Sequence, residues 1–130
     1  MMVGILFTVV ATAYALAFIM QPETVTREVI YAAMLVYLLV AQLYALVYTF
    51  LDLIDPASFD TPQGQSDFLL FEYYSFVTLT TLGYGDITPL TKLAKAVSVL
   101  EPVVGQLYLV VVVARFVGMH VSRKSSMSNK

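Results

Sequence analysis

The stretch TLTTLGYGDITP, residues 78–89, interrupts an otherwise apolar chain with threonines, two glycines one residue apart and an aspartate. Hydrophobic residues make up 59% of the 130 positions and charged residues only 12%, whereas a soluble domain carries about 25% charge to cover its surface. The chain therefore reads as membrane-embedded. In hydrocarbon every backbone amide needs a partner, so non-helical backbone is tolerated only inside protein or along a water-filled path. Gly83 and Gly85 permit positive φ at alternate positions, so that successive carbonyls can face one way instead of alternating as in a strand. One chain supplies a single row of such oxygens, and a closed ring of them requires several copies around an axis.

The flanks place this stretch between apolar segments. Residues 1–20 are apolar throughout and, at about 30 Å as a helix, long enough to cross a bilayer. They lack the basic start and small-residue cleavage site of a signal peptide, which argues for a retained helix. The polar linker that follows ends at Thr26 and Arg27, with Thr26 placed to cap the next helix. Residues 28–52 form a second span, with Tyr44, Tyr48 and Phe50 near its far end, where aromatic rings favour the interface. Residues 53–67 are rich in Asp, Pro, Gly and Ser and read as a surface loop. The apolar stretch 68–79 is too short to span and suits a re-entrant helix, while residues 92–121 are again of spanning length. The tail 122–130 is polar and basic and reads as unfolded.

Several chemistries are disfavoured at once. Cysteine is absent, which removes disulfides and thiolate sites, and the net charge of -2 with no basic patch argues against a nucleic-acid partner. No nucleophile–base set, phosphate loop or cluster of metal ligands is visible, so an enzyme is not expected, and no organic cofactor is called for. His120 stands alone and reads as solvated.

TLTTLGYGD, Thr78 to Asp86, resembles the Thr-x-x-Thr-x-Gly-Tyr-Gly-Asp signature of the potassium channel pore domain. The resemblance implies an all-α membrane protein with a pore domain over residues 28–121. Its parts would be an outer helix 28–52, an extracellular loop 53–67, a re-entrant pore helix 68–79, a selectivity filter 80–86 and an inner helix 92–121. Residues 1–27 add one transmembrane helix and a cytoplasmic linker, and 122–130 a cytoplasmic tail. Four identical subunits in a lipid bilayer would form the pore and conduct K+ passively. Carbonyls of Thr81, Leu82, Gly83 and Tyr84, with the Thr81 hydroxyl, would hold the dehydrated ion, and Gly85 would close the outer end. Leu82 stands where the family commonly has Val, which keeps a weakly selective cation channel as an alternative. The membrane subunit of a potassium transporter is another, although such proteins usually carry several unequal pore loops on one chain.

The family usually pairs the aspartate at Asp86 with a pore-helix Trp. This chain has no Trp, and Tyr73 stands in the matching place, so a Tyr73–Asp86 hydrogen bond is expected; the alternative is an aspartate solvated at the vestibule rim. Val77 occupies a position where some members carry a buried Glu. A filter of this family faces outward, which puts Asp52, Asp55, Asp60, Asp67, Glu72 and Asp86 on the outer side, where they would concentrate cations. Arg27, Arg115, Arg123, Lys124 and Lys130 would then be cytoplasmic against Lys92 and Lys95 outside, in keeping with the positive-inside tendency. The expected topology has the N-terminus outside and the C-terminus inside, in the plasma membrane. Residues 1–20 carry no Arg or Lys and so no gating charge.

Within the inner helix, Pro102 removes an amide and Gly105 lies where the family often has a hinge, so a bend is expected there. Gln106, Leu109, Val113 and Val117 share one stripe, which by resemblance lines the inner cavity. An interhelical hydrogen bond is the other reading of Gln106. Glu101, about 140° around the helix from Gln106, should point to the back of the pore helix. It is expected to support the filter, with the Thr78 hydroxyl as its candidate partner. A structural hydrogen bond and a pH sensor are both open readings of this carboxyl.

Overall fold

The computed structural model describes residues 2–21, 25–64 and 67–128, with the side chains of Met2, Gln63 and residues 122–128 outside the description. Four helices follow one another: α1 (Met2–Met20), α2 (Arg27–Ile54), α3 (Phe68–Leu79) and α4 (Lys92–Ser128). Two-residue strands β1 (Phe59–Asp60) and β2 (Thr88–Pro89) pair antiparallel, Phe59 against Pro89 and Asp60 against Thr88. Helices α1, α2 and α4 are long and apolar enough to cross a membrane, and α3 is not. This is an all-α membrane protein.

Helix α2 is the spine, and a separate core forms at each of its ends. Near its start, Val29, Ala33 and Val36 pack with Ala15 and Ile19 of α1, and Tyr108, Val112 and Phe116 of α4 close the cluster. Toward its end, Tyr48 and Leu51 pack with Phe59, Phe71, Tyr74, Ile87 and Ala94. The Tyr48, Phe59, Phe71 and Tyr74 rings meet edge-on or tilted, with centroids 4.9–5.7 Å apart, a geometry worth about 0.5–1.5 kcal/mol per pair beyond burial. Outside these contacts, α1 and α4 leave broad apolar faces exposed, as helices in lipid or awaiting further copies do.

Several expectations need correction. The segment 53–67 is more than a solvated loop: α2 runs on to Ile54, and Ser58 and Phe59 are buried, because β1 brings Phe59 into the aromatic core. Thr26 does sit at the N-cap of α2, but its side chain makes no cap bond; its carbonyl accepts from Ile30 N at 3.2 Å. The polar tail does not unfold at residue 122, since α4 continues to Ser128. No Gly or Pro follows Gly118 to stop it. The linker residues 22–24, the side chains of Arg123 and Lys124, and Lys130 lie outside the described residues.

Candidate functional site

Helix α3 aims the quoted stretch. Asp67 starts it by accepting from Leu70 N at 2.7 Å, and its face of Phe71, Tyr74, Ser75, Val77 and Leu79 is buried. At its end, Thr80 N donates to Phe76 O at 3.1 Å and the Thr80 hydroxyl to the same oxygen at 2.7 Å. Leu82 N and Gly83 N then both turn back onto Val77 O, at 3.0 and 3.2 Å. The chain thus leaves the helix with its first amides satisfied by the last turn. The negative end of the helix dipole lies at the foot of the stretch, a position that favours a cation.

From there the backbone alternates. Thr81, Gly83 and Gly85 have φ of 62°, 58° and 79°, while Leu82 and Tyr84 between them do not enter the positive region. Alternation of positive and negative φ allows successive carbonyls to face one side, instead of opposite sides as in a strand. Thr81 is the telling member. A β-branched residue at positive φ is a genuine outlier, and such a conformation costs about 1–2 kcal/mol. Strain of this kind persists at functional sites when the surroundings impose it. The stretch is exposed in the single chain, with Leu82 57% and Tyr84 66% accessible.

The outer end of the row is tied down. The Tyr73 hydroxyl of α3 donates to Asp86 Oδ2 at 2.8 Å, and this hydrogen bond to the carboxylate pushes the phenol above its ordinary pKa. Next to Asp86, Ile87 is buried in the aromatic core, and Leu90 N donates to Ser58 O at 2.8 Å just outside the β1–β2 pair. A pocket of about 320 Å³ lies between the stretch, α3 and α4, lined among others by Val77, Thr78, Thr81, Gly83 and Pro102.

Glu101 is fully buried and faces α3, but its partner there is Ser75 and not Thr78. Thr78 is nearly one turn closer to the end of α3 and lines the pocket. The second oxygen of Glu101 accepts from Tyr48 of α2 at 2.5 Å. Helix α4 runs on through Pro102 and Gly105, the two positions of the expected bend, without interruption. What Gly105 provides is closeness: a Cβ there would lie 2.5 Å from Leu79 Cδ1 and 3.3 Å from Leu79 O. The Tyr37 hydroxyl of α2 donates to that same Leu79 oxygen at 3.3 Å.

All four residues of the expected cavity stripe, Gln106, Leu109, Val113 and Val117, are exposed in the single chain, and Leu109 also lines an apolar groove between α2 and α4 with Tyr37, Tyr108 and Val112. Gln106 makes no recorded interhelical bond among the described residues and borders a shallow hollow with Ser98 and Pro102.

A short helix delivering an alternating backbone row between two spanning helices is the arrangement on which membership turns. Residues 25–121 match the family model described as ion channel. The chain belongs to the two-transmembrane ion-channel family of the potassium-channel pore type. No curated protein and no solved structure matches the chain.

As a member of this channel family it carries α1 as a helix wholly outside the matched region. Its C-terminal end meets α4: the Arg115 guanidinium donates to Met20 O at 2.6 Å and reaches Met20 Sδ at 3.8 Å. Four residues escaped the reading of the sequence: Tyr37, Tyr48, Ser75 and Leu79. Ser75 had a signal, being a polar residue on the α3 face defined by Phe71, Tyr74 and Thr78 at helical spacing. Tyr48 looked like an interfacial aromatic and had none.

Proposed function

We propose that the chain assembles as a homotetramer and conducts K+ passively and selectively across a cell membrane. The observation that carries the reading is the alternation of positive φ at Thr81, Gly83 and Gly85. It turns a run of carbonyls to one side, and four such runs around an axis form stacked oxygen rings that replace the water an ion sheds. The rings come from the carbonyls of Thr81, Leu82, Gly83 and Tyr84, with the Thr81 hydroxyl below and Gly85 at the outer mouth. Potassium is the cargo, and no step requires covalent chemistry.

The other residues support this row. Tyr73 and Asp86 hold its outer end, and the negative ends of four α3 helices face the ion's approach from within. Gln106, Val113 and Val117 are free to face a central cavity on the fourfold axis. Leu82 leaves the carbonyl in place, so selectivity follows the spacing of the rings and not the side chain. Arg27 and Arg115 at the inner side, against the acidic positions of residues 52–67, orient the N-terminus outward and the C-terminus to the cytoplasm.

The test is potassium flux from liposomes containing the purified chain, with sodium as competitor and barium as blocker, alongside native mass measurement of the assembly. Barium-sensitive flux that favours potassium and a fourfold mass are expected. Equal sodium and potassium flux would demote the protein to a weakly selective cation channel, and a mass other than fourfold would remove the ring geometry altogether.

A further inference from the structure

Among the described residues, Glu101 is the one acidic side chain that is fully buried. Two short oxygen–oxygen contacts reach it, and a third adjoins them at Ser75. Tyr48 Oη lies 2.5 Å from Glu101 Oε2, Ser75 Oγ meets Glu101 Oε1, and the same Ser75 Oγ lies 2.7 Å from the Ala41 carbonyl oxygen. Each contact of this length needs a hydrogen between its oxygens. Tyr48 and Ser75 bring one hydroxyl hydrogen each, and a backbone carbonyl brings none. With Glu101 ionised, the three contacts share two hydrogens, and Ser75 can serve either the carboxylate or Ala41 but not both. A protonated Glu101 supplies the missing one. Glu101 Oε1–H then donates to Ser75 Oγ, Ser75 donates to Ala41 O, and Tyr48 donates to Glu101 Oε2.

The surroundings agree with the count. Tyr37, Tyr44 and Tyr48 of α2, Ser75 and Tyr74 of α3, and Ser98 of α4, which accepts from the Tyr74 hydroxyl at 2.9 Å, are polar groups near the carboxyl, and all are neutral. No cationic side chain among the described residues bonds it. An unpaired carboxylate in such a place is strongly disfavoured, because burial strips its hydration without a compensating charge.

The position matters as much as the proton. Ser75 lies one turn before Leu79 on α3, and Glu101 one turn before Gly105 on α4, where Leu79 packs closely against Gly105. Tyr48 and Ala41 add α2 to the same junction. We infer that Glu101 is a proton-bearing positioning residue, whose neutral carboxyl locks α3 between α2 and α4 and so holds the carbonyl row above Leu79 in its conducting form. The conducting part of this inference rests on the function proposed above; the protonation does not.

Infrared spectra of the purified channel at neutral pH read the proton without any flux. Wild type should show the carbonyl stretch of a protonated carboxylic acid, Glu101→Gln should lack it, and Tyr48→Phe should shift it to higher frequency by removing the donor to Oε2. A wild-type spectrum without that band overturns the protonation. In flux, Glu101→Gln can donate to Ser75 and accept from Tyr48, so it should stay within about twofold of wild type. Glu101→Leu can do neither and should lose about tenfold or more, the size expected when a buried hydroxyl is left without its partner. Wild-type flux in Glu101→Leu overturns the positioning role. Should that variant fail to assemble, Ser75→Ala takes its place, with a shifted band and reduced flux expected and unchanged values for both counting against the bridge. A wild-type channel that shows the band yet passes no potassium refutes the conducting role and leaves the protonated junction standing.

Discussion

At the scale of single residues, the site depends on backbone conformation more than on side-chain chemistry. A Cβ on Gly83 would meet nothing within 4 Å, yet φ there is +58°, so Gly83→Ala tests conformation without a clash. It should cost about 1–2 kcal/mol per chain while relieving itself by a change in the carbonyl row; flux should fall sharply although the helices keep their circular dichroism. Preserved flux would mean that the row does not carry the ion. Tyr73 offers a test by titration. Its hydrogen bond to Asp86 raises its pKa, so the bond's contribution is complete below the ordinary tyrosine value of about 10. That contribution is lost only as pH climbs through the higher folded value. The difference in tyrosinate absorbance between wild type and Tyr73→Phe should therefore appear above that value, and a component ionising below it would contradict the bond.

Between elements, the decisive contact is the crossing of α3 and α4. Leu79 is completely buried, receives the Tyr37 hydroxyl on its carbonyl and lies against Gly105. A methyl group at position 105 would have to push α4 away from the C-terminal end of α3 or displace the buried Leu79 side chain. Gly105→Ala should lower assembly stability by about 1–3 kcal/mol, the usual cost of overpacking a filled core, and thermal unfolding followed by size-exclusion chromatography would measure it. An unchanged melting temperature would return Gly105 to the role of a hinge without close contact. Helix α1 is joined to the same inner helix through Arg115, whose cationic group sits on the Met20 carbonyl at the C-terminal end of α1. A cation there complements the helix dipole.

For the molecule as a whole, the single chain leaves Leu82, Tyr84, Val113 and Val117 exposed, along with much of the apolar surface of α4. If four copies bind potassium between them, the ion stabilises only the assembled form, so stability follows its concentration. At about a hundredfold above the dissociation constant the gain is about 2.7 kcal/mol. Replacing potassium by sodium should lower the temperature at which the assembly dissociates in a gel-shift assay. Equal stability in both salts would argue against an ion held between subunits.

The sequence by itself determined what local rules determine: which segments can cross a bilayer, that 68–79 is too short to do so, and that GYG demands an unusual backbone at membrane depth. With Gln106 set on the cavity side by the family resemblance, it also indicated through the helical angle that Glu101 faces α3. It could not show that Thr81 would join the glycines at positive φ, because a β-branched residue takes that conformation only when its surroundings impose it. Nor could it distinguish Ser75 from Thr78 as the partner of Glu101, since the two differ by less than one helical turn and the choice depends on how deeply α3 slides along α4. Tyr48 reached the same carboxyl from a helix 53 positions away in sequence. Such contacts arise from packing three helices at once, and the tertiary structure alone decides them because no residue's own preferences encode the distance between two helices.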